Sequence, residues 1–233
     1  MEWGRRSGLA GSEMLLFGGS ASCYDQLHMV YSAATDAYGL VSNLARSEVD
    51  VASGVGRILE FCNSVCPSEV WREIGALDST HDCSALERWL HDLLEAEPPE
   101  ESIVAFWFGL FDEVGPDGRV FTRLYVAGSV SYDPNEMDSS WACGPAYFPR
   151  GRYADSQVLL SASALLSAAG GDALELGSYA FALGYASLAV AEVCRQLPSE
   201  LLLGRRDSRH VAVGFDSGDF VTLPVPSRGT LPV

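Results

Sequence analysis

From Ile103 to Phe111 the chain reads IVAFWFGLF, without a polar residue and so without a solvent-facing side. A strand takes such a sequence where both faces of its sheet are covered. Val114-Gly-Pro-Asp-Gly118 follows, in which Pro fixes φ and Gly118 supplies the positive φ that closes a turn. Val120 to Tyr132 then alternates, placing Val120, Thr122, Leu124 and Val126 on one side. The chain is thereby expected to build a β-hairpin at its centre, and the rest must cover it.

The flanking segments are helical. Leu27, Val30, Tyr31, Ala34, Tyr38, Val41 and Leu44 recur at helical spacing over 23–46, and a second series runs from Val51 to Val65 and stops at Pro67. Ser68 is a candidate cap for a short helix carrying Val70, Trp71 and Ile74, and Ser84 with Glu87 forms a capping box before Leu86, Leu90, Leu93 and Leu94. After the hairpin, apolar helices are expected over 155–169, opened by Asp155 and closed by Gly170-Gly171, and over 173–197, ended by Pro198. The uncharged stretch Leu176–Ala191 falls short of the roughly 20 residues a bilayer needs, and its Ala180, Gly184, Ala186 and Ala189 suit close packing instead. His210–Phe215 and Phe220–Val225 predict a second hairpin. The expected fold is α+β: a loose terminus (1–22), a helical region (23–98), and a region (102–225) with a central antiparallel sheet, a packed helical hairpin and a C-terminal β-hairpin. The last two regions read equally as one continuous domain.

Charge bears on partners. The 233 residues include 31 acids and 15 basic residues, all of the latter arginine, for a formal charge of −16. Residues 1–100 hold 16 acids and 6 arginines, 101–140 hold 7 and 2, and 141–233 hold 8 and 7. The excess therefore lies in the first 140 residues. Such a field repels nucleic acid and anionic membrane and attracts basic surfaces, although it also serves plain solubility. The lack of lysine excludes a G-x-x-x-x-G-K-[ST] phosphate loop and Schiff-base chemistry, and is otherwise what a GC-rich genome produces.

No motif specifies a reaction. Gly18-Gly-Ser20 and Gly128-Ser129 do not make a nucleophile elbow, His28 and His91 sit within helical patterns as packing or surface residues, and His210 begins a strand beside Arg205, Arg206 and Arg209 as a strand-end polar residue. Asp216 and Asp219 flank a turn glycine, where turn formation accounts for them without a cation. Cys62, Cys66, His81 and Cys83 are spaced too widely for a zinc knuckle, so no cofactor or metal is expected. With no export signal, reduced cysteines and a cytoplasmic location are expected. A small hydrolase or transferase, or a non-catalytic scaffold or secretion adaptor, stays open as an alternative to a binding protein.

The acid-and-aromatic segment is more informative. Asp133, Glu136, Asp138 and Trp141 put a ring among carboxylates, and the hairpin turn adds Asp112, Glu113 and Asp117. Rings supply contact area and charge supplies steering at protein interfaces. Trp141, Tyr147 and Phe148 serve equally well as core rings tethering the loop. The run Leu124-Tyr-Val-Ala-Gly-Ser129, then Tyr132-Asp133, Trp141-Ala-Cys143, Tyr147, Pro149, Arg152-Tyr153 and Val211-Ala-Val-Gly-Phe-Asp216-Ser-Gly-Asp219-Phe, resembles bacterial immunity-type proteins encoded beside polymorphic or contact-delivered toxins. The resemblance implies a cytosolic, non-enzymatic protein, monomeric or weakly dimeric when free, that occludes the basic cleft of one cognate toxin through its acidic loops.

Overall fold

The computed structural model describes residues 23–133, 139–216, 218–224 and 227. The expected loose terminus, Glu136 and Asp138 lie outside them.

Helices α1 (Cys23–Ala45) and α2 (Val51–Val65) follow the two apolar series. Asp50 caps α2 by accepting from the Ser53 N–H at 2.9 Å. In α3 (Val70–Gly75), Val70, Trp71 and Ile74 are buried. Helix α4 (Ser79–Ala96) begins earlier than the Ser84–Glu87 pattern predicts. Asp78 is its cap, accepting from the His81 N–H at 2.9 Å, and Ser84 lies inside the helix, donating to the Thr80 carbonyl at 3.1 Å. A carboxylate suits the positive end of a helix better than a hydroxyl, and starting there gains a further turn.

The strands are β1 (Ala105–Val114), β2 (Val120–Ser129), β3 (Tyr153–Ala154), β4 (His210–Phe215) and β5 (Phe220–Thr222), in spatial order β3-β2-β1-β4-β5. The fold is α+β, as the sequence predicts. The sheet is mixed, however, where an antiparallel one was expected: β1 pairs parallel with β4, from Ala105↔His210 to Leu110↔Phe215. Only tight hairpins force antiparallel neighbours, and β2 and β4 are separated by a helical connection long enough to re-enter the sheet beside the start of β1.

That connection comprises α5 (Gln157–Ala169), α6 (Gly171–Leu176), a π turn (Gly177–Phe181), α7 (Ala182–Gln196) and α8 (Ser199–Leu203). The expected helical hairpin is α5 and the long helix Gly171–Gln196, which meet mainly near their joint at Gly170. The uncharged run has a packing explanation, since every residue from Ala182 to Ala191 is buried. Helix α7 runs between α1, α2 and α4 on one side and the sheet on the other. Ile58 of α2 sits against Gly184, and Leu188 sits against Gly54 of α2, so a Cβ at either glycine would collide with its partner's side chain. Phe106, Phe108, Leu110, Leu124, Val126, Val211, Val213 and Val221 meet the helices in one continuous core.

Candidate protein-binding face

The other face of the sheet is built differently. Alternation directs Ala105, Trp107, Gly109 and Phe111 of β1 to it, opposite Ser129, Ala127, Tyr125 and Arg123 of β2. Among the described residues, no α-helix contributes to the core on this side. Its first half is roofed by the segment after β2: Trp141 packs edge-on against Trp107 at 5.8 Å and Tyr132 at 5.0 Å, and Tyr132 stacks on His210 at 4.0 Å. The Ser129 hydroxyl fastens the roof by donating to the Trp141 carbonyl at 2.7 Å. Burial, then Arg206, lowers the His210 pKa from its usual value.

The second half stays open, and a strip of rings crosses it. Phe111 lies 5.9 Å from Tyr125 and 5.6 Å from Tyr153. The Arg152 guanidinium sits 4.4 Å from the Tyr153 ring and 3.8 Å over Phe148, extending the strip. Phe148 is 52% exposed and Tyr153 45%. One glycine of β1 makes the strip possible. Gly109 faces Tyr125 on one side and Gly214 on the other, and a Cβ at Gly109 would run into the Tyr125 ring. Tyr125 thus lies over β1 and donates to Asp216 at 2.7 Å, at the end of β4. Burial, then that carboxylate, raises the Tyr125 pKa, so the phenol remains a donor. Asp216 is therefore held at one end of the strip. Across the turn, Asp219 accepts from Tyr179 at 2.6 Å, and the π turn is what carries Tyr179.

The loop bearing Phe148 is anchored from α4. The Glu97 carboxylate accepts from the Arg150 N–H at 3.0 Å, the Tyr147 hydroxyl donates to the Glu97 carbonyl at 2.7 Å, and the Trp89 indole donates to the Gly151 carbonyl at 2.9 Å. An open cleft of about 390 Å³ lies between Glu97, Glu100 and the ring of Phe148.

The predicted site residues are dispersed. Asp112, Glu113 and Asp117 are exposed on the β1–β2 hairpin, but each has a partner within it: Thr122 donates to Asp112 at 3.2 Å, Arg123 pairs with Glu113 at 3.1 Å, and Arg119 pairs with Asp117 at 2.6 Å. Asp133 is exposed where the chain leaves β2. Trp141 requires correction: it is 5% exposed and is the roof of the second core, so it offers no contact surface. The alternative reading, a core ring tethering the loop, holds for Trp141 and Tyr147 but not for Phe148. Phe111, Tyr125, Tyr153 and Asp216 were missed as site residues. Alternation in β2 pointed to Tyr125, but the glycine that makes room for its ring lies on a neighbouring strand whose register no local pattern fixes.

Two polar nodes lie away from this face. Asp82, buried in the first turn of α4, accepts from Ser156 at 2.6 Å, the Gln157 N–H at 2.7 Å and Tyr185 at 2.5 Å, joining α4, α5 and α7. Burial, then Asp82, raises the Tyr185 pKa. Arg209, with no exposed surface, donates to the carbonyls of Ile103, Leu202 and Glu100 at 3.0, 2.9 and 3.1 Å. Both satisfy their hydrogen bonds internally and read as structural. Burial pushes the Cys62 and Cys83 thiols up to about 12, the Cys83 thiol points to the Ala189 carbonyl at 3.8 Å, and His81 is exposed. These residues do not gather as metal ligands. Compared with protein-family models, curated proteins and solved structures, the chain matches none.

Proposed function

We propose that this chain is an immunity protein that binds and neutralises one cognate bacterial toxin in the cytoplasm. The observation that carries this reading is the open half of the sheet, where Phe111, Tyr125, Tyr153, Arg152 and Phe148 form a continuous ring-and-guanidinium strip. Glu113, Asp155 and Asp216 border it, and the whole chain carries a formal charge of −16. Tyrosine and arginine are the residues that most often dominate binding energy, and surrounding carboxylates speed the approach of a basic partner. The strip is also fixed before any encounter, by the Gly109 close approach and the Tyr125–Asp216 bond, so little ordering entropy is lost on docking. The acidic surface thus steers while the rings bind. This modifies the expected mechanism, in which acidic loops occluded a basic cleft by charge.

Growth rescue tests the reading. The toxin-like gene adjacent to this one is expressed in a sensitive host, alone and with this chain. Wild type is expected to restore growth, and Tyr153→Ala combined with Asp216→Ala to lower protection, in line with about 2 kcal/mol or more lost per anchor. Absence of a toxin-like neighbour, or a neighbour whose toxicity this chain leaves unchanged, would remove the proposal.

A further inference from the structure

The central hairpin is longer than the sheet it belongs to. Strand β1 pairs with β2 along its whole length, to Val114↔Val120, but with β4 only as far as Leu110. Strand β2 pairs with β3 only at Leu124 and Tyr125. Beyond those positions the two strands project as an arm. At its end Val114 and Val120, directly opposed in register, are 67% and 44% exposed. An unsupported two-stranded ribbon is marginal in water. This one is braced: Gly115 N–H donates to the Arg119 carbonyl at 2.7 Å, Arg123 bridges Glu113 and Asp155 at 3.1 Å each, and the Thr122 N–H donates to the Ser163 hydroxyl of α5 at 3.0 Å. Gly118, at φ 79°, closes the turn.

We infer that the Val114–Val120 tip is an insertion element that seats in an apolar pocket on a basic protein partner. The inference rests on the proposed binding function and goes further by naming the part that enters. An exposed apolar pair on a rigid arm offers area with little rotamer entropy to lose, since valine has a single side-chain torsion. The acids of the arm are engaged by its own arginines and threonine, so the tip binds by apolar contact and not by charge. Charge selects the partner nonetheless. A second copy would bring two bodies of formal charge −16 together, whereas a basic protein is drawn in.

The test uses the purified, catalytically silenced product of the adjacent toxin-like gene as probe, titrated with wild type, a Val114→Ser/Val120→Ser variant and Tyr153→Ala at about 150 and about 500 mM salt, where the Debye length falls from about 8 Å to about 4.4 Å. The tip variant is expected to keep its melting temperature, to bind roughly 30-fold more weakly at both salts, and to show the wild-type salt slope. A tip variant that binds like wild type while Tyr153→Ala weakens binding overturns the arm inference and leaves the function standing. A probe that wild type does not bind overturns both. A concentration-dependent wild-type dimer that the tip variant abolishes assigns the tip to a second copy and overturns the inference.

Discussion

The two faces of the sheet come from the same strands and do opposite things. Toward the helices, Phe106, Phe108, Leu110, Val126 and Val213 are sealed under α5 and α7. A buried carboxylate on that side, Asp82, has its acceptor positions filled by three donors from two other helices. On the far side the second core is one small cluster around Trp107 and Trp141, and the buried Trp141 indole nitrogen finds no acceptor among the described residues. Beyond that cluster the sheet carries the partly exposed rings of Phe111, Tyr125 and Tyr153. One side is built to hold the fold and the other to display rings on it. The difference follows from how many elements each face receives, since both sides of β1 are equally apolar in sequence.

That contrast makes the helical side the more costly to disturb. Asp82→Ala would leave the buried Ser156 and Tyr185 hydroxyls without their acceptor, and it takes the acceptor from the Gln157 N–H at the start of α5. Each buried donor left without an acceptor costs about 1–3 kcal/mol, so the two hydroxyls together cost about 4 kcal/mol, enough to cancel a large part of a domain's usual stability of about 5–15 kcal/mol. Chemical denaturation should show the loss in the midpoint. A loss below about 1 kcal/mol would mean that water replaces the node freely and that the helical face is not the tighter one.

On the far side, Trp141→Ala should cost less, about 3 kcal/mol, at the low end for a large aromatic. Its roof is a single segment, which can settle toward Trp107 or admit water, and the indole nitrogen loses no bond. Equal or greater loss than for Asp82→Ala would reverse the comparison. The same variant exposes Trp107, so its fluorescence should shift to longer wavelength while the far-UV dichroism stays helical.

Much of this arrangement could be read along the chain. The double-sided apolar run of β1, the alternation of β2 and the uncharged stretch of α7 each reflect a local period, and each lies where that period implies. What escaped were consequences of register and chain return. The parallel pairing of β4 depends on where a long helical connection re-enters, and nothing in His210–Phe215 records its direction. Gly109 is conspicuous in an otherwise bulky strand, yet its purpose appears only once Tyr125 is set beside it. Trp141 misled for the same reason. A tryptophan among acids suits an interface and a roof equally, and only the neighbouring Trp107 and Tyr132 decide between them. Asp82 was hidden in a helix start that the Ser84 pattern placed later.

The smallest expected effect tests how well the thin side is sealed. His210 stacks under Tyr132 at 4.0 Å, and burial, then Arg206, keeps its folded-state pKa below the usual value. The unfolded chain takes up a proton near pH 6.5, whereas the folded chain resists until lower pH. The stability linked to the neutral ring is therefore fully present above pH 6.5 and is lost as pH falls through the depressed folded value. His210→Phe keeps the stack and removes the titration. The difference in stability between wild type and this variant should be constant above about pH 7 and should move against wild type as pH falls below about 6.5. Subtracting the two profiles cancels the many carboxylates they share. A difference that stays flat would show that water reaches His210 as readily in the folded as in the unfolded chain, so that the loop roof is no seal and the far face is open along its whole length.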